Sequence, residues 1–337
     1  MGAAYQFHRS LFYLEKTVMG TQVFPGSSVD TDCYPGRLVG MAAATEHCAG
    51  ANCNSAGIQV YSTGKKQVSM QQVLQYNGKL LYYHTYGNGP VLVLLHGFAE
   101  DGSVWEYQVA TLQQHYRLIV PDLPGTGSSE VLHPALETSI DDYAAAVWAL
   151  LQHEQVQQCV MLGHSMGGYI TLAIAEQHGH ALQGFGFVHS TALPDSEEKK
   201  ANRQRGIEMI EAYGAAAFVK TTTPNLFSAA YKQQHAAKTE ALIRKGATFG
   251  NLALQQYYYA MMQRPDRTAV LSGSKVPVLF IIGTEDVAVP LKDVLPQTYL
   301  PAVAYIHILG NVGHMGMWEA PEKVNRYITA FMEDCIR

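Results

Sequence analysis

The sequence predicts an α/β fold, a mostly parallel sheet with helices on both faces, and three observations carry that prediction. Short, unbroken apolar runs alternate with helical segments from about residue 91 onward. A serine flanked by glycines stands between one such run and the helix after it, in "CVMLGHSMGGYITLAIA" (159–175). The stretch 191–269 is helical in composition and holds no convincing strand. Apolar strands without polar alternation are buried on both faces, as in a parallel sheet covered by helices.

The elements follow in order. Asn77-Gly78, between "QQVLQY" and "KLLYYHTY", predicts a hairpin, because both turn positions need positive φ. "VLVLL" (91–95), "YRLIVPDL" (116–123), "QCVMLG" (158–163), "GFGFVHS" (184–190), "VPVLFIIG" (276–283) and "VAYIHIL" (303–309) read as strands. Helices are expected over 104–115, 139–154, 167–178 and 320–336, with Ser139 as an N-cap. Residues 191–269 read as a helical cap over the sheet edge where open α/β sheets bind ligands. The α/β core then comprises 70–190 and 270–337. Residues 1–69 hold three of the five cysteines and little periodicity. They are expected to be a poorly ordered extension, with Met70 a sensible natural start.

Composition narrows the function. Of 337 residues, 47% are apolar, which allows a sizeable core. The net charge of −5, with no long run of one sign, argues against a nucleic-acid partner. No window approaches 18 uninterrupted apolar residues, so no membrane-spanning helix is expected. Cys33, Cys48, Cys53, Cys159 and Cys335 form no CxxC pair and fit a reducing, cytoplasmic setting. No HExxH occurs among the 14 histidines, and no metal site is expected. His178 and His180 follow a helix and are expected to be exposed.

"GHSMG" (163–167) matches G-x-S-x-G, and it follows a strand and opens a helix. Gly163 and Gly167 let that turn close, and Gly168 lets the helix approach the strand. A serine hydroxyl is a weak nucleophile until a base takes its proton. In this architecture an acid and then the base follow the serine. Asp286 stands just past a strand in "LFIIGTEDVAVP", with Glu285 and Asp293 as competitors. His314 stands in the Gly-rich "LGNVGHMGMWEAPEKV", with His307, His189 and His164 as competitors. The order Ser165, Asp286, His314 is nucleophile, orienting acid, base. The backbone N–H groups of Phe98, in "LLHGFAEDG", and of Met166 are the candidate oxyanion donors. His164 is expected to brace the elbow and His96 to hold the oxyanion loop. Tyr257, Tyr258, Tyr259, Met261 and Met262 read equally as the lining of an apolar acyl pocket or as cap core.

Taken together, "LHGFAED", "DLPGTGSS", "GHSMGG", "GTEDVAVP" and "GNVGHMGMWEAPEKV" resemble the α/β-hydrolase superfamily over about residues 74–336. More narrowly they resemble its capped, carboxylesterase-like members. The resemblance implies an eight-stranded, mostly parallel sheet with a helical cap (an α/β-hydrolase fold) and needs no cofactor and no metal. It carries over Ser165, Asp286 and His314 as the triad, with Phe98 and Met166 as oxyanion donors. It says nothing about residues 1–69. The implied activity is that of a serine hydrolase cleaving carboxylic esters of small to medium apolar molecules through an acyl-enzyme on Ser165. The same triad serves a lactonase, a cofactor-free haloperoxidase or perhydrolase, and a C–C bond hydrolase. A non-catalytic ligand receptor on this fold is the alternative of another class. A serine at the elbow argues against dehalogenase and epoxide hydrolase chemistry, which forms an alkyl ester on an aspartate.

Overall fold

The computed structural model describes residues 9–13 and 70–337. In chain order the first half runs β1 (Arg9–Tyr13), β2 (Met70–Tyr76), β3 (Lys79–Tyr86), β4 (Val91–Leu95), α1 (Glu106–Leu112), β5 (Arg117–Pro121), α2 (Ile140–His153), β6 (Cys159–His164), α3 (Met166–His178) and β7 (Leu182–Val188). Helices α4 (Glu197–Thr222), α5 (Ala229–Gln234), α6 (Ala236–Gly246), α7 (Asn251–Gln263) and α8 (Thr268–Ser272) are inserted next. The chain then closes with β8 (Val278–Gly283), α9 (Leu291–Val294), β9 (Val303–Leu309), α10 (Gly316–Glu319) and α11 (Pro321–Cys335).

The strands lie in one sheet of order β1-β9-β8-β7-β6-β4-β5-β3-β2. Only β3 runs against the rest, paired antiparallel to β2 and β5. Asn77 and Gly78 take φ of 49° and 76°, the left-handed values that the hairpin between β2 and β3 requires. From residue 70 onward there are the expected eight strands. A ninth, β1, is added at the edge, parallel to β9, with Arg9 opposite Val303. The rest of the expected extension, 1–69, lies outside the described residues.

Each face of the sheet carries its own core. Leu92 and Leu94 of β4 join the apolar cluster that includes α1 and α11. Val93 and Leu95, on the opposite face, join the cluster that includes α2 and α3. In α11, Val324, Tyr327, Ile328 and Phe331 are buried at the spacing of one helical stripe. The start of α2 is fixed by a capping box. Ser139 Oγ accepts from the Asp142 N–H at 3.2 Å, and Asp142 Oδ2 accepts from the Ser139 N–H at 2.8 Å. Such a cap contributes about 1 kcal/mol.

Three local features differ from the expectations. The helix expected over 104–115 begins as a 3₁₀ turn, Gly102–Trp105, before α1. The short helices α9 and α10 were not expected. His178 is half-buried rather than exposed, its ring stacked on Trp148 at 3.9 Å. Among the described residues no helix is long and apolar enough to cross a membrane.

Candidate active site

Ser165 lies between β6 and α3 with φ 50° and ψ −115°, a conformation that side chains rarely adopt. Three hydrogen bonds hold it there. Its N–H donates to the Val188 carbonyl at 3.1 Å. Its carbonyl accepts from Ser190 Oγ at 2.6 Å and from the Gly168 N–H at 2.9 Å. The residue stays partly exposed, while His164 and Met166 beside it are buried. Met166 opens α3, where a helix has no upstream carbonyl for its first N–H groups.

Phe98 follows β4 in a loop that lies on this elbow. A Cβ added at Gly97 would stand 3.1 Å from the Ser165 Cβ and 2.9 Å from His164 Nδ1. The Gly97 N–H donates to Glu100 Oε2 at 2.7 Å. His96 Nε2 accepts from the Leu123 N–H at 2.9 Å, which leaves Nδ1–H to donate to the Gly97 carbonyl at 2.9 Å. His96 thus ties the loop after β4 to the loop after β5.

Asp286 and His314 meet directly, with His314 Nδ1 2.8 Å from Asp286 Oδ2. Oδ1 of Asp286 accepts from the N–H groups of Ala288 and Val289 at 2.9 and 2.8 Å. Burial pushes this carboxyl up, but the His314 charge and the hydrogen bonds from both His189 and His314 outweigh it and hold it far below the usual carboxylate range. Burial likewise lowers His314, yet Asp286 first, then Glu100 and Glu319, raise it above 6.5. The backbone of His314 is fixed on both sides. Its N–H donates to the Leu226 carbonyl at 2.7 Å, and its carbonyl lies 3.0 Å from His164 Nε2.

The competing residues lie as follows. Glu285 is exposed. Asp293 sits in α9. His307 is within β9, stacked on Tyr327 at 3.8 Å. His164 and His189 both enter the cluster. His164 Nδ1 contacts Glu100 Oε2 at 2.9 Å, with its ring 4.8 Å from that of His314. His189 Nδ1 reaches Asp286 Oδ2 at 3.1 Å. Among the described residues, His189, Asp286 and His314 form the one His/Asp grouping close enough to consider for a metal. Its separations of 2.8 and 3.1 Å are those of hydrogen bonds, and the group is read as a hydrogen-bonded relay.

Sequence reasoning missed Glu100, Ser190 and Glu319. Glu319 accepts from the Gly313 N–H and the Ser228 N–H, both at 3.1 Å, tying the His314 loop to the helical insertion. Only Glu100 left a signal, as an acid two residues past Phe98. The insertion also closes over the loop after β4. The Phe98 ring stacks on Tyr258 at 4.2 Å, beside a cavity of about 60 Å³ lined by Phe98, Ala99, Thr223, Leu226 and Tyr258 among others. Tyr257 is fully buried against Tyr143. The aromatic run therefore divides, with Tyr257 in the core and Tyr258 at the cavity.

The sequence profile of the Alpha/beta hydrolase family matches residues 92–327. The chain is similar to the dihydrolipoyllysine-residue acetyltransferase component of the acetoin cleaving system of Pseudomonas putida. They are 28% identical over 273 residues, 77% of this chain and 69% of that protein. It is also similar to the pimeloyl-[acyl-carrier protein] methyl ester esterase of Vibrio vulnificus (strain YJ016). That match is 42% identical over 98 residues, 29% of this chain and 36% of that protein. Among solved structures, a thermophilic esterase from Thermogutta terrifontis superposes with a TM-score of 0.74 at 25% identity, covering 79% of this chain and 99% of that one. The chain is a hydrolase of the alpha/beta hydrolase family.

Proposed function

We propose that this hydrolase cleaves small to medium apolar carboxylic esters through an acyl-enzyme on Ser165. One observation carries the reading. A serine held in a strained, partly exposed elbow shares one end of the sheet with a buried His314–Asp286 pair at 2.8 Å. In this reading His314 takes the proton of Ser165 through Nε2 as Ser165 Oγ attacks the acyl carbon. Asp286 accepts from Nδ1–H, fixing the tautomer and stabilising the imidazolium. The developing oxyanion accepts from the N–H groups of Phe98 and Met166, and losing one such donor costs about 3–4 kcal/mol. His314 returns its proton to the departing alcohol, then activates the water that releases the acid. Helices α4–α8 serve as the cap, and Tyr258 closes it against Phe98. The substrate is a small-molecule ester, the reaction uses no cofactor or metal, and the setting is cytoplasmic. The similarity to proteins named as esterases supports this reading.

The test is turnover of p-nitrophenyl esters from acetate to palmitate by the full chain and by Ser165→Ala. Turnover that peaks at a short or medium chain and vanishes in the variant is the expected result. Folded protein that turns over none of the series overturns the ester reading and sends the search to lactones and C–C substrates. Tight binding of a small apolar ligand without turnover would instead mark a receptor.

A further inference from the structure

We propose that His189 is a positioning residue that acts on His314 through Asp286, sharing the carboxylate's charge and so setting how basic His314 is. The inference rests on reading Ser165, His314 and Asp286 as a proton relay. Its starting point is that one oxygen, Asp286 Oδ2, takes both imidazoles, His314 at 2.8 Å and His189 at 3.1 Å. The other oxygen is already occupied by two backbone N–H groups.

The fold goes to some length to place this second ring. His189 lies one residue beyond β7 with φ 53°, and its N–H donates to the Ile281 carbonyl at 2.9 Å. Holding a residue in such a conformation costs on the order of 1–3 kcal/mol. Two neighbours leave room for the ring. A Cβ at Gly316 would stand 2.2 Å from His189 Nε2, and one at Gly283 would stand 3.0 Å from the ring carbon Cε1. His189 Nε2 is buried and has no hydrogen-bond partner among the described residues. A neutral ring with its proton on Nδ1 fits this, because only a lone pair is then left unmatched. Burial pushes the ring down to about 4, so it is an uncharged donor near neutral pH. An apolar side chain would fill the space without the orphaned nitrogen, so packing alone does not account for a histidine here.

A carboxylate that shares its charge with a second donor stabilises imidazolium less well. The other groups facing His314 are the His164 ring at the end of β6, Glu100 after β4 and Glu319 of α10. His189 itself faces Asp286, His314 and His164. Of these only Asp286 touches both rings by hydrogen bond, so a change at 189 reaches His314 through it.

The test is the titration of His314, followed by ¹⁵N NMR of the imidazoles in the full chain, with the signals assigned by their loss in His314→Gln. Two variants separate donor from ring. His189→Asn keeps an N–H near the place of Nδ1–H and tolerates positive φ. His189→Phe keeps the ring and loses the donor. His314 is expected to titrate about 0.5–1 pH unit higher in His189→Phe and as wild type in His189→Asn. Should His189→Phe not fold, His189→Gly takes the backbone without strain and serves as the donor-free variant. A donor-free variant in which His314 titrates as wild type, or lower, overturns the proposal. Equal shifts in the Asn and donor-free variants do the same. p-Nitrophenyl acetate turnover, measured in parallel, keeps the two readings apart. An inert wild type with the expected titration shift sinks the ester reading alone. Ser165-dependent turnover without the shift sinks this proposal alone.

Discussion

Replacing Glu100 with Gln probes the second acid–imidazole pair of the cluster. Glu100 and His164 are 2% and 1% exposed. Glu100 Oε2 accepts from the Gly97 N–H at 2.7 Å and from His164 Nδ1 at 2.9 Å. His164 Nε2 faces the His314 carbonyl at 3.0 Å. The ring nitrogens thus lie against two oxygens, the Glu100 carboxylate at one and the His314 carbonyl at the other. Glu100→Gln keeps the shape and removes the negative charge. An amide oxygen is a weaker acceptor than a carboxylate for both the Gly97 N–H and the His164 ring, so both contacts weaken together. Breaking a buried pair from one side costs about 3–5 kcal/mol. At about 2–4 °C per kcal/mol for a large domain, Tm at pH 7 falls by about 6–20 °C. The effect also has a pH signature. Burial raises the Glu100 carboxyl, but the His164 charge and its hydrogen bond, with the Gly97 N–H, outweigh it, and the group titrates below its ordinary 4.5. A carboxyl lowered by folding contributes fully above its unfolded value, and that contribution fades as pH falls toward the folded value. Thermal melts of both proteins from pH 8 to 3 are the assay. The gap in Tm is expected to be widest near neutrality and to narrow below about pH 4.5. A gap under about 2 °C at pH 7, or one that persists unchanged to pH 3, refutes the argument.

Three further outcomes are expected. Because Asp286 lifts His314 above 6.5 against the lowering effect of burial, and the base must be neutral to act, the acid limb of kcat/KM lies above pH 6.5. A limb at or below that value contradicts the relay, and Asp286→Asn should lower kcat by about 10⁴. The cavity of about 60 Å³ beside Phe98 is far below the roughly 300 Å³ of pockets for drug-sized ligands. Turnover should thus favour the shortest acyl chains, and Tyr258→Ala should move the optimum to longer ones; an unchanged optimum shows that the acyl chain lies elsewhere. In Gly163→Ala the new Cβ would lie 2.1 Å from the Gly167 carbonyl carbon and 2.3 Å from the Gly168 nitrogen, both backbone atoms. That substitution should cost more than about 4 kcal/mol, and a variant whose melt matches wild type would show that α3 can lift off β6.

What the sequence made legible follows from how local each signal is. β4 and β9 begin and end where their apolar runs do, because strands buried on both faces need no polar alternation. Ser139 was readable as a cap because its partner Asp142 is three residues away. Asp286 and His314 were readable as a pair because each stands just beyond a strand in a fixed chain order. Glu100 stood in view as an acid two residues past Phe98, but its pairing was not readable, since its partner His164 lies 64 residues on. His189 drew notice only as a rival base. Its role as a second donor to Asp286 depends on a backbone conformation and on glycines at 283 and 316. The division between Tyr257 and Tyr258 depends on how α7 is rotated, which neighbouring identical residues leave open. α9 and α10 span four residues each, too short for helical periodicity to register.

The strand order explains why the cluster holds three histidines rather than one. Moving across β9, β8, β7, β6 and β4, the sheet edge presents His314, Asp286, His189, His164 with Ser165, and Glu100. Two of these groups are buried carboxylates, and both raise His314. Left uncompensated, two negative charges would keep His314 protonated at rest and unable to accept a proton from Ser165. His164 answers one of them, its Nδ1 lying 2.9 Å from Glu100 Oε2. His189 answers the other in part, as a neutral donor to Asp286. The charge that bears most directly on the base is that of Asp286, shared between two rings. In the proposed reaction that charge meets its counter-charge when His314 takes the proton of Ser165, so the pair is matched to the transition state rather than to the resting state. On this argument Glu100→Gln and His189→Phe perturb His314 from opposite sides. Loss of the Glu100 charge removes one of the groups that raise His314 and so lowers it, whereas loss of the His189 donor raises it. A pH profile that moved equally in both variants would show that the two histidines do not divide the work in this way.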